Sequence, residues 1–190
     1  EVDWHYSDAI ENYIFSSYLN NSITDGYRDH NEQQQTNFST KIKKINKKGN
    51  QFLKINFSDQ NLNTPSDRSQ TEIYTDRKGT DTPNDYIKSD GGSVFYGLDN
   101  KLNNKINFIL NGSVRVKDSY SDLQSSSFPS YNETFLKNYQ ISPRIKHTRN
   151  FLKKKADMLY GFDLQYADYY SHRKKNQTLH PNLNSLCSKI

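Results

Sequence analysis

Five histidines, His5, His30, His147, His172 and His180, could handle protons or metals. No two of them sit at a ligand spacing such as His-x-x-x-His. Asp76, Asp81 and Asp85 share one polar stretch, as in a calcium loop. They lack the Asp-x-Asp-x-Asp-Gly pattern with its distal Glu, which favours a solvated loop. Asp118 and Asp122 are paired acids of the kind glycosidases use, but no cleft is defined between them. A single cysteine, Cys187, excludes an internal disulfide and a cysteine-based zinc site. No Gly-x-Ser-x-Gly, Walker or Gly-x-Gly-x-x-Gly run occurs. DGGS at Asp90–Ser93 reads as a flexible lead-in to a strand. The expectation is a protein that is not an enzyme, with no metal site and no cofactor.

Binding chemistry is better represented. Tyr27, Arg28, Tyr74, Arg77, Tyr86, Tyr120 and Tyr131 fall in polar stretches that read as loops. Tyrosine offers an apolar ring and a hydrogen bond, and arginine clamps carboxylates or anionic chelates. These seven are the candidate ligand contacts. The competing reading is that Arg28 and Arg77 pair with Asp25, Asp29 and Asp76 and only hold loop shape.

Composition limits the scaffold. Hydrophobic residues make up 32% of 190, too few for an ordinary soluble core, yet aromatics reach 13%. A disordered chain would be poor in aromatics. Polar chains rich in Tyr and Phe suit β-sheets with one wet and one apolar face. The net charge of +5 comes from scattered or short-clustered lysines such as Lys41, Lys43, Lys44, Lys47 and Lys48. No aromatic RNA-binding signature or helix-turn-helix pattern accompanies them, so nucleic acid is not an expected partner. No apolar run is long enough for a transmembrane helix, and no signal peptide opens the chain.

The elements that must position these residues show period-two alternation. Leu53, Ile55 and Phe57 alternate with polar neighbours in QFLKINFS. Val94, Tyr96 and Leu98 do so in the next strand. Ile106, Phe108 and Leu110 share a face of KINFILNGSVRV, and Tyr139 and Ile141 share one in NYQISPRIK. Met158, Tyr160, Phe162 and Leu164 alternate in MLYGFDLQY. Pro143 removes one ladder donor and is expected at a bulge or weakly paired position. With NFSTKI and a weaker strand at Tyr13–Asn20, about seven strands are predicted. Their connections alternate strictly, long then short. An antiparallel meander with a short-turn end and a long-loop end has that pattern. Outer-membrane barrels have it too, with short periplasmic turns, long extracellular loops and apolar-out strands of roughly ten residues. Lipid demands that every backbone group be paired, but it needs only one apolar face. The fifteen alternating residues named above are therefore predicted to face lipid. Tyr166, Tyr169 and Tyr170 suit the membrane boundary, although Tyr169 and Tyr170 cannot both face lipid.

At this point several segments resemble a known family. SYLNNSITDGYRDHNEQQQTNFSTKIK (Ser17–Lys43) resembles the strand–loop–strand of TonB-dependent outer-membrane receptors, where a DGYRDN-like run follows an early barrel strand. LKINFSDQNLNTPSDR and TDRKGTDTPNDYIKSDGGSVFYGL resemble a strand, its external loop and its return strand. ISPRIKHT and YGFDLQYADYYSHR resemble later strand pairs, so the likeness runs from Ser17 to Arg173. It implies an outer-membrane barrel of about 22 strands with a plugged lumen. It also implies energised uptake of a scarce ligand such as a metal chelate, cobalamin or a glycan. The implied partners are outer-membrane lipid, a small-molecule ligand, and TonB acting through a plug.

This chain shows no plug, no TonB box and too few strands for such a barrel. It is expected to be an internal barrel piece spanning 13–173, with an unassigned extension at 1–12 and an unassigned tail at 174–190. The alternative is a secreted or surface β-sheet module for binding or adhesion, whose strands should close as a sandwich within the chain. A smaller complete barrel would need an even strand count and a terminal aromatic.

Overall fold

The computed structural model describes residues 1–65, 67–124, 129–151 and 154–175. Alternation becomes strand in every stretch where it was read, with one interruption at 162–163, and most strands run well past it. They are β1 Val2–Ile10, β2 Tyr13–Thr24, β3 Gln33–Asn46, β4 Gly49–Asn63, β5 Tyr86–Lys101, β6 Ile106–Leu123, β7 Ser130–Phe151, β8 Lys154–Gly161 and β9 Leu164–Lys175. One short helix, α1 Gln70–Thr75, lies between β4 and β5. The fold is all-β, an antiparallel meander in which β1 to β8 pair in chain order and β9 pairs with β7. Among the described residues the sheet does not close, and β1 pairs with β2 alone.

Short and long connections alternate as expected. The short links fall at 11–12, 47–48, 102–105 and 152–153, and the long ones at 25–32, 64–85 and 124–129. Two differences from the predicted strand list have physical causes. Residues 2–10, left unassigned in the sequence, form β1 and continue the alternation by one more short turn. The run MLYGFDLQY, read as one strand, is interrupted at Phe162–Asp163. Arg144 faces Gly161 and Ile141 faces Leu164, so β8 and β9 continue in one register along β7. Pro143 sits opposite the break. Its carbonyl accepts from the Phe162 N–H at 3.3 Å, but it has no N–H to return. Pro143 thus occupies a weakly paired position, as its chemistry requires. The expected tail lies outside the described residues from position 176 onward, with His180 and Cys187.

Register decides which residues share a face, because directly opposed residues in antiparallel strands point the same way. Leu53 faces Tyr96 and Ile55 faces Val94. Val94 faces Val114, and Leu98 faces Leu110. Val114 faces Tyr139, Gly112 faces Ile141, and Phe108 faces Ile145. Ile145 faces Tyr160, His147 faces Met158, and Ile141 faces Leu164. Fourteen of the fifteen residues predicted to face lipid therefore lie on one face, and Phe162 falls in the break between β8 and β9. Ile42, Phe38 and Leu19 extend that face across β3 and β2. The other face is largely polar, carrying Ser39, Asn56, Ser93, Arg115 and Gln140 along its middle.

Among the described residues no hydrophobic side chain is buried. This is one layer of sheet, with no second protein layer over its apolar face. Phe57 is 47% exposed and Tyr160 57%. Domains normally bury such a face against another element.

Candidate functional site

The long-loop end brings some of the candidate ligand contacts together. Gly26, in the left-handed region at φ 71°, turns the chain after β2. Tyr27 follows it, half its surface open. Arg77 and Lys78, from the β4–β5 loop, place their cations 5.6 Å from its ring centroid. A cation over an aromatic face is attracted by the ring quadrupole. Arg28 reaches the same loop and donates from Nη2 to the Gly79 carbonyl at 3.0 Å. Its Nε is buried without a partner. The Asp29 N–H donates to the Lys78 carbonyl at 2.8 Å. Tyr27, Arg28 and Arg77 thus form one cluster. Tyr74 stands apart on α1, 81% exposed.

Among the described residues Arg28 makes no ion pair with Asp25 or Asp29, as the competing reading had it; its guanidinium bonds to a backbone carbonyl. Asp76 is held instead by Arg68, which the sequence reading passed over. Arg68 donates from Nε to the Gly79 carbonyl at 2.9 Å. Its guanidinium meets Glu72 at 3.4 Å, Asp76 at 3.0 Å and Asp81 at 3.2 Å, with its side chain only 8% exposed. The planar fork suits this many acceptors at once. Ser69 follows as the N-cap of α1, in a capping box with Glu72. The Ser69 hydroxyl and backbone N–H both donate to Glu72, with Arg68 adding its charge, and hold that carboxyl below its ordinary value. The available signal was Ser-x-x-Glu at Ser69–Glu72, a helix start after an arginine.

Asp85 was read as part of a solvated acidic stretch, and the structure buries it at 5% exposure. Its Oδ1 accepts from the Gln124 N–H at 2.6 Å. Its carbonyl accepts from Thr64 N–H at 3.1 Å and lies 2.6 Å from His30 Nε2, which must carry the proton. One residue therefore joins all three long connections. His30 makes that bond from a left-handed backbone, φ 58°, uncommon outside glycine.

The other three candidates are not in loops. Tyr86 opens β5, Tyr120 lies in β6 and Tyr131 in β7. Tyr86 faces Asp122, which faces Tyr131; Lys88 faces Tyr120, which faces Glu133. They share the face of the apolar band, several rows toward the loops. Their strands run on because antiparallel pairing continues past the last apolar residue. Tyr166 and Tyr170 share this face by register, opposite Tyr139 and Phe135, while Tyr169 points the other way. DGGS is likewise not a lead-in: it lies inside β5. No group of three or more potential metal ligands forms among the described residues. No helix is long and apolar enough to cross a membrane, which says nothing of strands.

No family model matches this chain, and no curated protein matches it. Among solved structures it is similar to the ferric citrate transporter FecA in its unliganded form. That likeness has a TM-score of 0.80 and 12% identity over 98% of this chain. The chain spans 29% of the FecA chain's length. At this identity the likeness establishes fold alone, the meander of a β-barrel wall.

Proposed function

We propose that this chain is a section of the wall of an outer-membrane barrel of the TonB-dependent receptor type. The observation that carries the reading is the single-layer sheet, one face of which carries the alternating apolar band with no protein over it among the described residues. Lipid is the medium that buries such a face without a second layer. The dimensions agree. On β6 the apolar rows run from Ile106 to Val116. At ~3.4 Å per residue and a ~45° tilt they cover ~24 Å, against a band of ~25 Å in outer-membrane barrels. The long loops then face the medium and the short turns the periplasm.

In this reading the protein takes part in energised uptake of a scarce small molecule of the metal-chelate, cobalamin or glycan class. It binds and admits its ligand without transforming it. Tyr27, Arg28 and Arg77 are the favoured ligand contacts, since the loops already bring them together. TonB would act through a plug supplied outside these residues. The resemblance of the DGYRD and DRKGTDTPNDY segments and the likeness to FecA support this reading over a secreted adhesion module.

The test is fractionation of the full-length gene product. It should appear in the outer membrane and change gel mobility on heating. Recovery as a soluble periplasmic protein would overturn the reading.

A further inference from the structure

The polar face carries cations that have no counter-charge. Lys54 on β4 and Arg115 and Lys117 on β6 line one open cavity of about 510 Å³. Among the described residues none of the three makes an ion pair. Lys54 also stands directly opposite Lys41, and like charges directly opposed are destabilising in a sheet. The one acid in the lining, Asp59, belongs by alternation to the other face.

The floor of this cavity is built to stay open. Gly91 separates Ser58 from Lys117 in the same row. A Cβ at Gly91 would lie 2.6 Å from the Val116 carbonyl oxygen, so the close approach of β6 requires glycine there. The neighbouring polar groups are ordered as donors. Ser39 Oγ donates to Asn56 Oδ1 at 2.9 Å, and Asn56 Nδ2 donates to Ser93 Oγ at 3.0 Å. Ser93 thus accepts from Asn56 and keeps its own proton for a further partner. It sits directly opposite Arg115.

Three cations without ion-pair partners and the Ser93 hydroxyl around one cavity recognise a single ligand chemistry. We propose that this face binds a small polyanion bearing two or more carboxylate or phosphate groups. The site is separate from the Tyr27–Arg28–Arg77 loop cluster and stands independently of the outer-membrane reading. Charge-assisted hydrogen bonds of this kind are about twice as strong as neutral ones.

The test is titration calorimetry on the full-length gene product in detergent at low salt. Citrate and inorganic phosphate are the probes and raffinose the neutral control. Lys54→Gln, Arg115→Gln and Lys117→Gln together should weaken citrate binding at least about tenfold. Lys44→Gln, Lys88→Gln and Lys137→Gln, on the apolar face, should leave it within about twofold. Absence of citrate and phosphate binding, or binding that survives the first triple variant, overturns the inference. Binding lost only through Arg28→Gln and Arg77→Gln overturns it too, while leaving the loop reading intact. If the first triple variant lowers the melting temperature with citrate affinity unchanged, the cations hold an acidic protein segment and the inference fails. A soluble periplasmic protein whose citrate binding depends on that triple would uphold the inference and overturn the outer-membrane reading.

Discussion

In the apolar band a residue's surroundings follow from its place in the alternation. Leu110 looks toward the apolar face and Asn111 away from it, and the band repeats this across β4, β5 and β7, with Phe52, Phe95 and Ile109 the exceptions on the polar face. In the loop cluster nothing periodic operates. Asp85 and His30 are placed by particular hydrogen bonds between segments far apart in the chain, and Arg68 by bonds within its own loop. On the outer-membrane reading proposed above, the band is held by lipid acting on a whole face. The loop end is held by a few polar contacts that fail one at a time. This difference predicts graded damage along the band and sharp local damage at the loops.

The largest effect should come from putting charge on the band. Leu110→Arg places a guanidinium near the middle of the apolar rows, at a cost of about 2–4 kcal/mol for a lipid-facing midplane position. Asn111→Arg, one residue along on the polar face, should cost under about 0.5 kcal/mol. Denaturant unfolding of the full-length product in bilayers measures both. Equal costs would break the comparison, because both faces would then be wet or both buried.

Next comes the loop end. Arg68→Ala leaves Glu72, Asp76 and Asp81 close together with no shared cation. Its acids are partly exposed, so the cost is about 2 kcal/mol rather than the larger figure for a fully buried pair. It should appear as faster protease cleavage within 67–85, with melting of the sheet unchanged. Arg77→Ala, which removes only a cation from the Tyr27 ring, should change cleavage little. Sheet melting that falls with Arg68→Ala would show that loops and wall form one cooperative unit.

The same contrast explains what could be read in the sequence. Leu53, Ile55, Phe57 and their counterparts announced themselves because one face is apolar and the other is not. Past Phe57 and Val116 both faces become polar, the alternation disappears, and the strands continue unannounced. Tyr86, Tyr120 and Tyr131 were placed in loops for that reason. β1 was missed similarly: Val2, Trp4 and Tyr6 alternate, but at an edge and with Asp8 next on the same face. The Tyr27–Arg28–Arg77 cluster was legible as residue types. Its partners were not, because the Arg28–Gly79 contact spans 51 residues and has no local pattern. The cationic cavity was invisible for a related reason. Lys54, Arg115 and Lys117 look like scattered lysine and arginine until register sets them around Gly91.

A smaller effect tests whether the β8–β9 break comes from Pro143. Pro143→Val restores an N–H toward Phe162, which should add one ladder bond worth about 1 kcal/mol. Amide exchange at Phe162 and Leu164 should slow, with β5–β6 amides unchanged. No change would mean that Asp163, held by Arg144 at 3.2 Å, keeps the two strands apart instead.

The smallest effect is a pH dependence confined to α1. The carboxyl of Glu72 is held below its ordinary value of 4.5, first by the Ser69 hydroxyl, then by the Ser69 backbone N–H, and less by Arg68. A folded-state value below the unfolded one means that Glu72 favours the capped helix at neutral pH. That contribution is full above 4.5 and is lost as pH falls through the depressed folded value. The Ile73 and Asp76 amides donate to Ser69 and Glu72 carbonyls within this helix. Once corrected for intrinsic rates, their exchange should accelerate through that acid range, while amides of β6 and β7 hold. Glu72→Gln keeps a side chain able to reach back to Ser69 but removes the titration, so the acid step should vanish. If the step persists in Glu72→Gln, the loop is loosened through Asp76 and Asp81 on Arg68 rather than through the cap. The loop end would then answer to its ion cluster as a whole, and it would resemble the band in responding collectively.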